Sequence, residues 1–212
     1  KLRAAVEGHD WTGVYPAIHH FCTTDLSAFY FDIRKDSLYC DAPSSHTRKS
    51  CRSFLDILFR CLATWLAPAL PFTAEEAWVA RYGAEASVHL EQFEAVPDAW
   101  ANDVLADRFA KVRALRSEVT GNIEKMRASK TIGSSLQAEV VMSNEAKAVV
   151  PLTIFWAETC IVSGAAFGAV STVQLATGHK CERCWRVLPE VGADAKHPTL
   201  CLRCVEAVEE IA

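Results

Sequence analysis

Helical periodicity dominates the first 127 residues of this 212-residue chain. Apolar residues recur at intervals of three and four, most clearly in 46–67 and in 100–127. This spacing places the apolar side chains along one face of a helix and leaves a polar face opposite. The pattern is that of a mainly α protein, and it predicts an antiparallel helix bundle with short loops as a first domain over residues 1–131.

Local signals refine the helix boundaries inside this bundle. Residues 11–39 are predicted to form two helices separated by a break, with Thr24 or Asp25 capping the second. Thr73 and Glu76 have the spacing of a capping box, in which each side chain bonds the other residue's backbone. The sequence therefore predicts that a short helix begins at this pair.

The period changes after residue 131, and shorter apolar runs alternate with turn residues. Residues 144–156 have helical spacing, although Pro151 favours a break within them. The runs on either side are short and rich in β-branched residues, as in strands. We predict a small α/β subdomain over 132–177. Its predicted strands are 136–142, 160–162 and 172–175.

Two Cys-x-x-Cys motifs lie sixteen residues apart within the last predicted domain, 178–212. Each motif places two thiolates on one tight turn, and two facing motifs supply four sulfurs at the corners of a tetrahedron. Zn²⁺ prefers this ligand type and geometry. Four thiolates leave no open coordination position, so the single zinc ion is predicted to be structural. The predicted ligands are Cys181, Cys184, Cys201 and Cys204.

Three alternatives compete with a four-cysteine zinc site. Two disulfides require an oxidising compartment, and nothing in the chain suggests secretion. A redox Cys-x-x-Cys normally stands alone near a βαβ pattern, whereas this one is paired. His179 and His197 flank the cysteines and are possible substitute ligands. The spacing favours the four-cysteine set over all three.

Charge is unevenly distributed along the chain. The net charge of −4 argues weakly against a nucleic-acid partner. Residues 34–60, however, contain six basic and three acidic side chains, and 108–130 contain seven basic and two acidic. Residues 74–107 contain eight carboxylates and one arginine. Such segregation presents a basic face to phosphates, unless each run is only a solvated helix face.

Three further features of the sequence concern the cellular compartment of the chain and whether it is part of a longer protein. Five further cysteines are scattered on apolar faces, which suits a reducing cytoplasm. The apolar run 148–170 contains Pro151 and Glu158 and does not have the pattern of a membrane span. The chain does not open with Met, and we expect it to be a fragment of a longer polypeptide.

Four stretches resemble one protein family. Leu-Ser-Ala-Phe-Tyr at 26–30 and Lys-Asp-Ser-Leu-Tyr-Cys at 35–40 are similar to the start of the anticodon-binding helical domain of class I aminoacyl-tRNA synthetases. Residues 66–78 are similar to that family's next helix and turn. Residues 123–138, with Ile-Gly-Ser-Ser-Leu, resemble the segment that follows in isoleucyl-tRNA synthetases. The motifs Lys-Cys-x-Arg-Cys-Trp and Cys-x-Arg-Cys resemble the zinc finger that closes the bacterial enzymes of this family.

The resemblance implies the tRNA-binding C-terminal region of an ATP-dependent cytoplasmic ligase that attaches isoleucine to its tRNA. The implied partners are isoleucine tRNA, through its anticodon stem-loop, and the catalytic and editing domains of the parent chain. ATP and Mg²⁺ would bind only in that catalytic domain, since the family's His-Ile-Gly-His and Lys-Met-Ser-Lys-Ser signatures do not occur in this sequence. Neither a catalytic residue, a membrane nor an obligate protein partner is expected for this chain.

Basic residues on the helices and in the finger are candidates for RNA contact, because phosphates bind cations and unstacked bases stack on aromatic rings. Trp185 directly follows a predicted ligand. It is either a stacking platform or, as we expect more, the hydrophobic plug of a small metal-stapled module. The candidates are Arg34, Lys35, Arg48, Lys49, Arg52, Lys180, Arg183, Trp185, Arg186 and Arg203.

Two other functions fit parts of the sequence. A DNA-repair glycosylase can end in a related four-cysteine finger, but it needs a catalytic segment and a helix-two-turn-helix that the chain does not reveal. A zinc-stapled interaction module without an RNA role is the third hypothesis. Binding of tRNA and of duplex DNA at matched salt would separate the three.

Overall fold

The protein divides into two compact units that do not follow chain order. Lys1–Pro43 and Phe109–Ala212 form the first unit, and Ser44–Arg108 form the second. The computed structural model describes Ala4 and residues 7–211. The three domains predicted from the sequence are chain segments, and their boundaries stay a prediction.

A continuous helical stretch opens the first unit. Helix α1 (Val14–His20) runs into a wider, π-helical segment (Phe21–Phe31) and then into α2 (Asp32–Cys40). The predicted break is wrong: neither Pro nor Gly interrupts 21–31, and Thr24 and Asp25 lie inside the helix rather than capping it. The helix continues here with π-helical hydrogen bonds, each of which spans one residue more than in an α-helix. Extended backbone at Asp41 ends α2.

The second unit contains the basic helix predicted from 46–67, which is observed as α3 (His46–Leu66). Ser45 caps it, accepting a hydrogen bond from the Arg48 backbone N–H. Helix α4 (Pro71–Tyr82) begins at a proline, whose fixed φ suits the first helical position. The predicted capping box is therefore wrong, because Thr73 already lies within the first turn. The rings of Phe59 and Trp78 stack with centroids 6.0 Å apart in the core of this unit.

Helix α5 (Asp103–Ala128) begins three residues after Trp100, which lies in a 3₁₀ turn (Asp98–Trp100). A second 3₁₀ turn (Val88–Leu90) precedes it in the second unit. Within the first unit α5 buries a stripe with helical spacing, and this stripe packs on the sheet described next. The stripe consists of Val112, Leu115, Val119 and Ile123.

A three-stranded sheet forms the α/β part of the first unit. After a 3₁₀ turn (Ser135–Gln137), β1 (Ala138–Met142) occupies the centre, parallel to β2 (Gly164–Phe167) and antiparallel to β3 (Thr172–Leu175). Helices α6 (Asn144–Val149) and α7 (Thr153–Cys160) connect the parallel pair, with the expected break at Pro151. Large, fully buried side chains of this core include Val140, Met142, Trp156 and Val162.

The predicted strand 160–162 is wrong, because these residues end α7. Ile161 has φ +56°, and its N–H donates to the Glu158 carbonyl. The N–H of Val162 donates to the Ala157 carbonyl. This pair of bonds is a Schellman motif, which closes a helix through one left-handed residue. Glycine usually occupies that position, so the β-branched run concealed the motif in the sequence.

The last part of the first unit, residues 178–211, is called the finger below. It contains a short antiparallel pair, β4 (His179–Lys180) with β5 (Val187–Leu188), and a final helix, α8 (Leu202–Glu209). The predicted fold class is confirmed: a mainly α protein with a small α/β part and a compact cysteine module. None of the described helices combines the length and hydropathy that a membrane crossing requires.

Candidate metal centre and nucleic-acid interface

Four cysteine side chains converge at the centre of the finger. Cys181 follows β4, Cys184 closes the first turn, and Cys201 and Cys204 flank the start of α8. All four are buried, and their sulfur atoms lie within 4.8 Å of one another. In the described part of the chain, this is the only such group of potential ligands, so His179 and His197 lie outside it.

Backbone hydrogen bonds shape each cysteine turn. The N–H of Trp185 donates to the Cys181 carbonyl at 2.9 Å, and the N–H of Cys204 donates to the Cys201 carbonyl at 2.9 Å. The backbone N–H of Cys201 also points at the Cys181 sulfur, 3.4 Å away. Each turn therefore holds its two thiols on one side, with an arginine directly before the second cysteine.

The donor set fits a zinc ion. Four sulfurs at about 2.3 Å from a shared centre stand about 3.8 Å apart at the corners of a tetrahedron. The observed distance between the sulfurs of Cys184 and Cys201 is 3.7 Å. All nine cysteines of the chain lie in the described region and are free thiols, so the cluster is not a pair of disulfides. The arrangement supports structural zinc with no open position for a catalytic water.

Hydrogen bonds within the cluster shift the pKa values of two cysteines in opposite directions. Hydrogen bonds from Cys184 and Cys201, with another from Arg183, lower the pKa of Cys204. The hydrogen bonds of Cys201 to Cys184 and Cys204, together with burial, raise the pKa of Cys201. Because zinc binding displaces the thiol protons, both sulfurs would bind a zinc ion as thiolates.

The arginine of each cysteine turn reaches out of the finger to α2. Arg203 forms a two-pronged bond with the Asp36 carboxylate, at 2.5 and 2.8 Å, and a further bond to Asp41 at 3.1 Å. Arg183 donates to the backbone carbonyls of Tyr39, at 3.2 Å, and Cys40. The guanidinium groups of both predicted RNA-contact residues are therefore engaged within the protein.

Two more predicted RNA-contact arginines are engaged internally. Arg186 is buried, and it donates to the Val162 carbonyl at 3.2 Å. Arg34 pairs with Glu158 on α7 at 3.2 Å. Burial raises the pKa of Glu158, although the charge of Arg34 opposes the rise. These bonds tie the finger and α2 to the α/β part of the unit.

An open cleft of about 370 Å³ lies between the finger, α2 and α7. Ile33, Ala157 and Val162 contribute to its apolar lining. Two large aromatic side chains flank it and are strongly exposed: Tyr39 at 76% and Trp185 at 61%. The expectation that Trp185 plugs the finger is wrong. The four buried cysteines fill that centre themselves, and a left-handed backbone at φ +66° accompanies the outward position of the indole.

Exposed lysines accompany the aromatic side chains. The Lys180 ammonium lies 5.7 Å from the centre of the Trp185 ring, within the range of a cation–π contact. Lys35 lines the cleft and pairs with Asp32 at 3.2 Å while remaining largely exposed. In the second unit, α3 carries the exposed Lys49 and Arg52 and the half-buried Arg48.

Four participants in this arrangement were not predicted from the sequence: Asp36, Tyr39, Cys40 and Asp41. Cys40 packs against the cysteine cluster, and burial raises its pKa to about 11. The only available signal was the position of this segment in the stretch 35–40 that carries the family resemblance. Spacing alone does not indicate that it meets residues 183 and 203.

Two family models match the chain. Residues 1–142 match the family described as the anticodon-binding domain of tRNA ligase. The chain belongs to this family. Residues 178–207 match a second model, described as the zinc finger found in FPG and IleRS. The resemblance seen in the sequence is thereby confirmed, and the match over 1–142 favours it over the glycosylase hypothesis.

Curated members of this family align along almost the whole chain. The isoleucine–tRNA ligase of Gluconobacter oxydans is 51% identical over 98% of the chain, and that of Agrobacterium fabrum is 43% identical over 100%. The isoleucine–tRNA ligase of Brucella abortus is 42% identical over 99%. The chain spans 22 to 24% of the length of these relatives.

Proposed function

We propose that this chain is the tRNA-binding C-terminal region of an isoleucine–tRNA ligase and that it holds the anticodon stem-loop of isoleucine tRNA. The match of residues 1–142 to the anticodon-binding family is the main support. In the parent enzyme, a catalytic domain outside this chain would join isoleucine to the tRNA with ATP and Mg²⁺. This chain would contribute binding and no catalytic residue, and the enzyme would work in the cytoplasm.

The finger would hold one structural zinc ion through Cys181, Cys184, Cys201 and Cys204. The support is the convergence of four buried sulfurs within 4.8 Å of one another, with those of Cys184 and Cys201 3.7 Å apart. Bound zinc would fix the two cysteine turns and supply no chemistry of its own. Trp185, directly after Cys184, would then present its ring at a set position beside the cleft.

Direct RNA contacts are proposed for six members of the predicted set, five of which are exposed. Trp185 would stack on an unpaired base, and Lys35 and Lys180 would bind neighbouring phosphates. On the second unit, Arg48, Lys49 and Arg52 are separate candidates for phosphate contact. Base stacking tolerates any sequence, whereas phosphate contacts depend on salt. For Arg34, Arg183, Arg186 and Arg203, RNA contact stays a prediction, and their observed bonds support an internal role.

A titration with the labelled anticodon stem-loop of isoleucine tRNA would test the proposal. Trp185→Ala is expected to weaken binding about 10-fold, because one base–aromatic stack contributes roughly 1–3 kcal/mol. Trp185→Tyr retains a ring and should recover most of the affinity. Equal affinity for the stem-loop and for duplex DNA at matched salt would contradict the proposal.

The phosphate contacts can be tested separately by repeating the same titration at several salt concentrations. Lys180→Ala should lower the slope of log affinity against log salt by about 0.7 to 0.9, the value of one lost phosphate contact. Lys196→Ala is the matched control: Lys196 is another exposed finger lysine, and it pairs with Glu209 at 3.4 Å. The control should leave the slope unchanged.

A further inference from the structure

The two cysteine turns of the finger use the same device to reach α2. In each motif the arginine directly precedes the second cysteine, so the backbone that carries it belongs to the proposed metal site. Arg183 and Arg203 both extend toward the last turns of one helix. Because equivalent arginines of both motifs bind the same helix end, the contact is more extensive than a single surface ion pair.

The C-terminal end of α2 requires positive charge. The last carbonyl groups of a helix lack partners within it, and they form the negative end of the helix dipole. Asp36 and Asp41 add two carboxylates at this end. Arg183 supplies donors to the carbonyls of Tyr39 and Cys40, and Arg203 binds both carboxylates. The finger thus neutralises a strongly negative helix end.

The neutralised end adjoins the proposed RNA surface. Tyr39 belongs to the same last turn, and its exposed side chain lines the same cleft as the finger residue Trp185. Without the two arginines, the carboxylates of Asp36 and Asp41 would face any phosphate that approached this cleft. Docking of the finger therefore changes both the geometry and the charge of the surface.

The partners are buried enough to make the contact specific. The side chains of Arg203 and Asp36 are about 30% exposed, and that of Asp41 is 14% exposed. A planar guanidinium that meets a carboxylate through two bonds fixes orientation as well as distance, and a lysine does not reproduce this. By contrast, Lys196 is 79% exposed in its pair with Glu209 and provides an internal reference.

We infer that Arg183 and Arg203 are positioning residues. Together with Asp36, Asp41 and the carbonyls of Tyr39 and Cys40 they form a clasp that locks the finger to the end of α2. The clasp makes Tyr39 and Trp185 one RNA-binding surface only while the finger is folded around its metal. This inference rests on the proposed function for its RNA readout. Two other measurements, zinc release and hydrogen exchange at the end of α2, test the clasp without RNA.

Zinc release from the 212-residue chain to a chromogenic chelator is the first test. Arg203→Ala should accelerate release about tenfold, the effect expected from one charge-assisted two-pronged bond. Arg203→Lys should recover only part of this loss, whereas Lys196→Ala should stay within about twofold of the unchanged chain. Equal release rates for Arg203→Ala and Lys196→Ala would overturn the clasp.

Hydrogen exchange and stem-loop affinity complete the design. Arg203→Ala and Asp36→Ala should each expose the amides of 37–41 and weaken stem-loop binding. The double variant should be no worse than Arg203→Ala alone, because that change already removes the bond to Asp36 as well as the bond to Asp41. Additive losses of exchange protection would overturn the clasp. An unchanged chain that binds no stem-loop, but shows the coupled release and exchange effects, would overturn the proposed function and support the clasp.

Discussion

The finger and the sheet subdomain, residues 132–177, adjoin in the chain but are stabilised in different ways. The sheet subdomain has an apolar core in which Trp156 and Met142 are fully buried. Among the described residues, the buried centre of the finger consists of the four cysteines and Val191. Apolar burial scales with size, so a module this small depends on its metal. Removal of the metal should therefore unfold the finger, whereas a cavity in the apolar core should destabilise the sheet subdomain.

The largest expected effect comes from breaking the metal centre. Cys201→Ser removes one of four thiolates, and structural zinc contributes on the order of 10 kcal/mol to such modules. The finger should lose stoichiometric zinc and the exchange protection of α8, while β1 to β3 stay protected. Measured zinc content and amide exchange test this. Unfolding of the sheet subdomain in the same variant would show that the two regions are not separable.

The reciprocal change is Trp156→Ala in the sheet subdomain. The indole is fully buried, and its N–H donates to the Val150 carbonyl at 2.9 Å. Truncation should lower the free energy of unfolding by about 3–5 kcal/mol, as large cavities in cores do. Urea denaturation measures the loss. The zinc content of the folded fraction should remain at one ion per chain, and a proportional loss of zinc would contradict the contrast between the regions.

The junction between the two regions gives the third prediction. Gly178 has φ +116°, and a Cβ there would stand 2.3 Å from the carbonyl carbon of Leu188. Gly178→Ala should therefore cost about 2 kcal/mol or more. Gly192→Ala is the matched control: its φ is +96°, but the nearest atom to its Cβ would be 3.5 Å away. The control should cost about 1 kcal/mol. Thermal unfolding of both variants measures the difference in stability. Equal losses of stability would show that the cost comes from the left-handed backbone and not from the contact of the added Cβ with Leu188.

The smallest effect is a pH dependence at Glu158. Burial raises its pKa above the ordinary 4.5, so the folded protein binds more protons here than the unfolded chain. The free energy of unfolding should therefore fall as the pH rises from about 4.5 through the raised value. Glu158→Gln should lack this fall, as measured by urea denaturation at a series of pH values. Arg34→Gln removes the charge that lowers this pKa and should extend the fall to higher pH; parallel curves for all three proteins would contradict the assignment.

The sequence predicted features that depend on local spacing. The spacing of the four cysteines was enough to predict that their sulfur atoms form one cluster. The basic helix follows from an apolar stripe that ends at prolines, and α3 matches it within one residue. In both cases the decisive residues lie within one short segment of the chain, where spacing carries the information.

Features that depend on distant partners were not predictable in the same way. Arg183 and Arg203 are cations with finger spacing, and nothing local indicates that their partners lie near residue 40. Trp185 was expected inside because small modules need apolar filling, but the cysteine sulfurs occupy that volume. The strand expected at 160–162 failed because a β-branched residue took the left-handed position at which glycine is normal.

The bond between Arg203 and Asp36 joins residues 167 positions apart. Ribosomes add roughly 5–20 residues per second, so the end of α2 leaves the ribosome on the order of 10–30 seconds before its partner is made. During that interval Asp36 lacks the Arg203 guanidinium that binds it, and Cys40 lacks the finger that packs against it. The second unit, Ser44–Arg108, is synthesised completely within the same interval. The nascent chain therefore carries this helix end without its finger partners during the whole synthesis of the second unit.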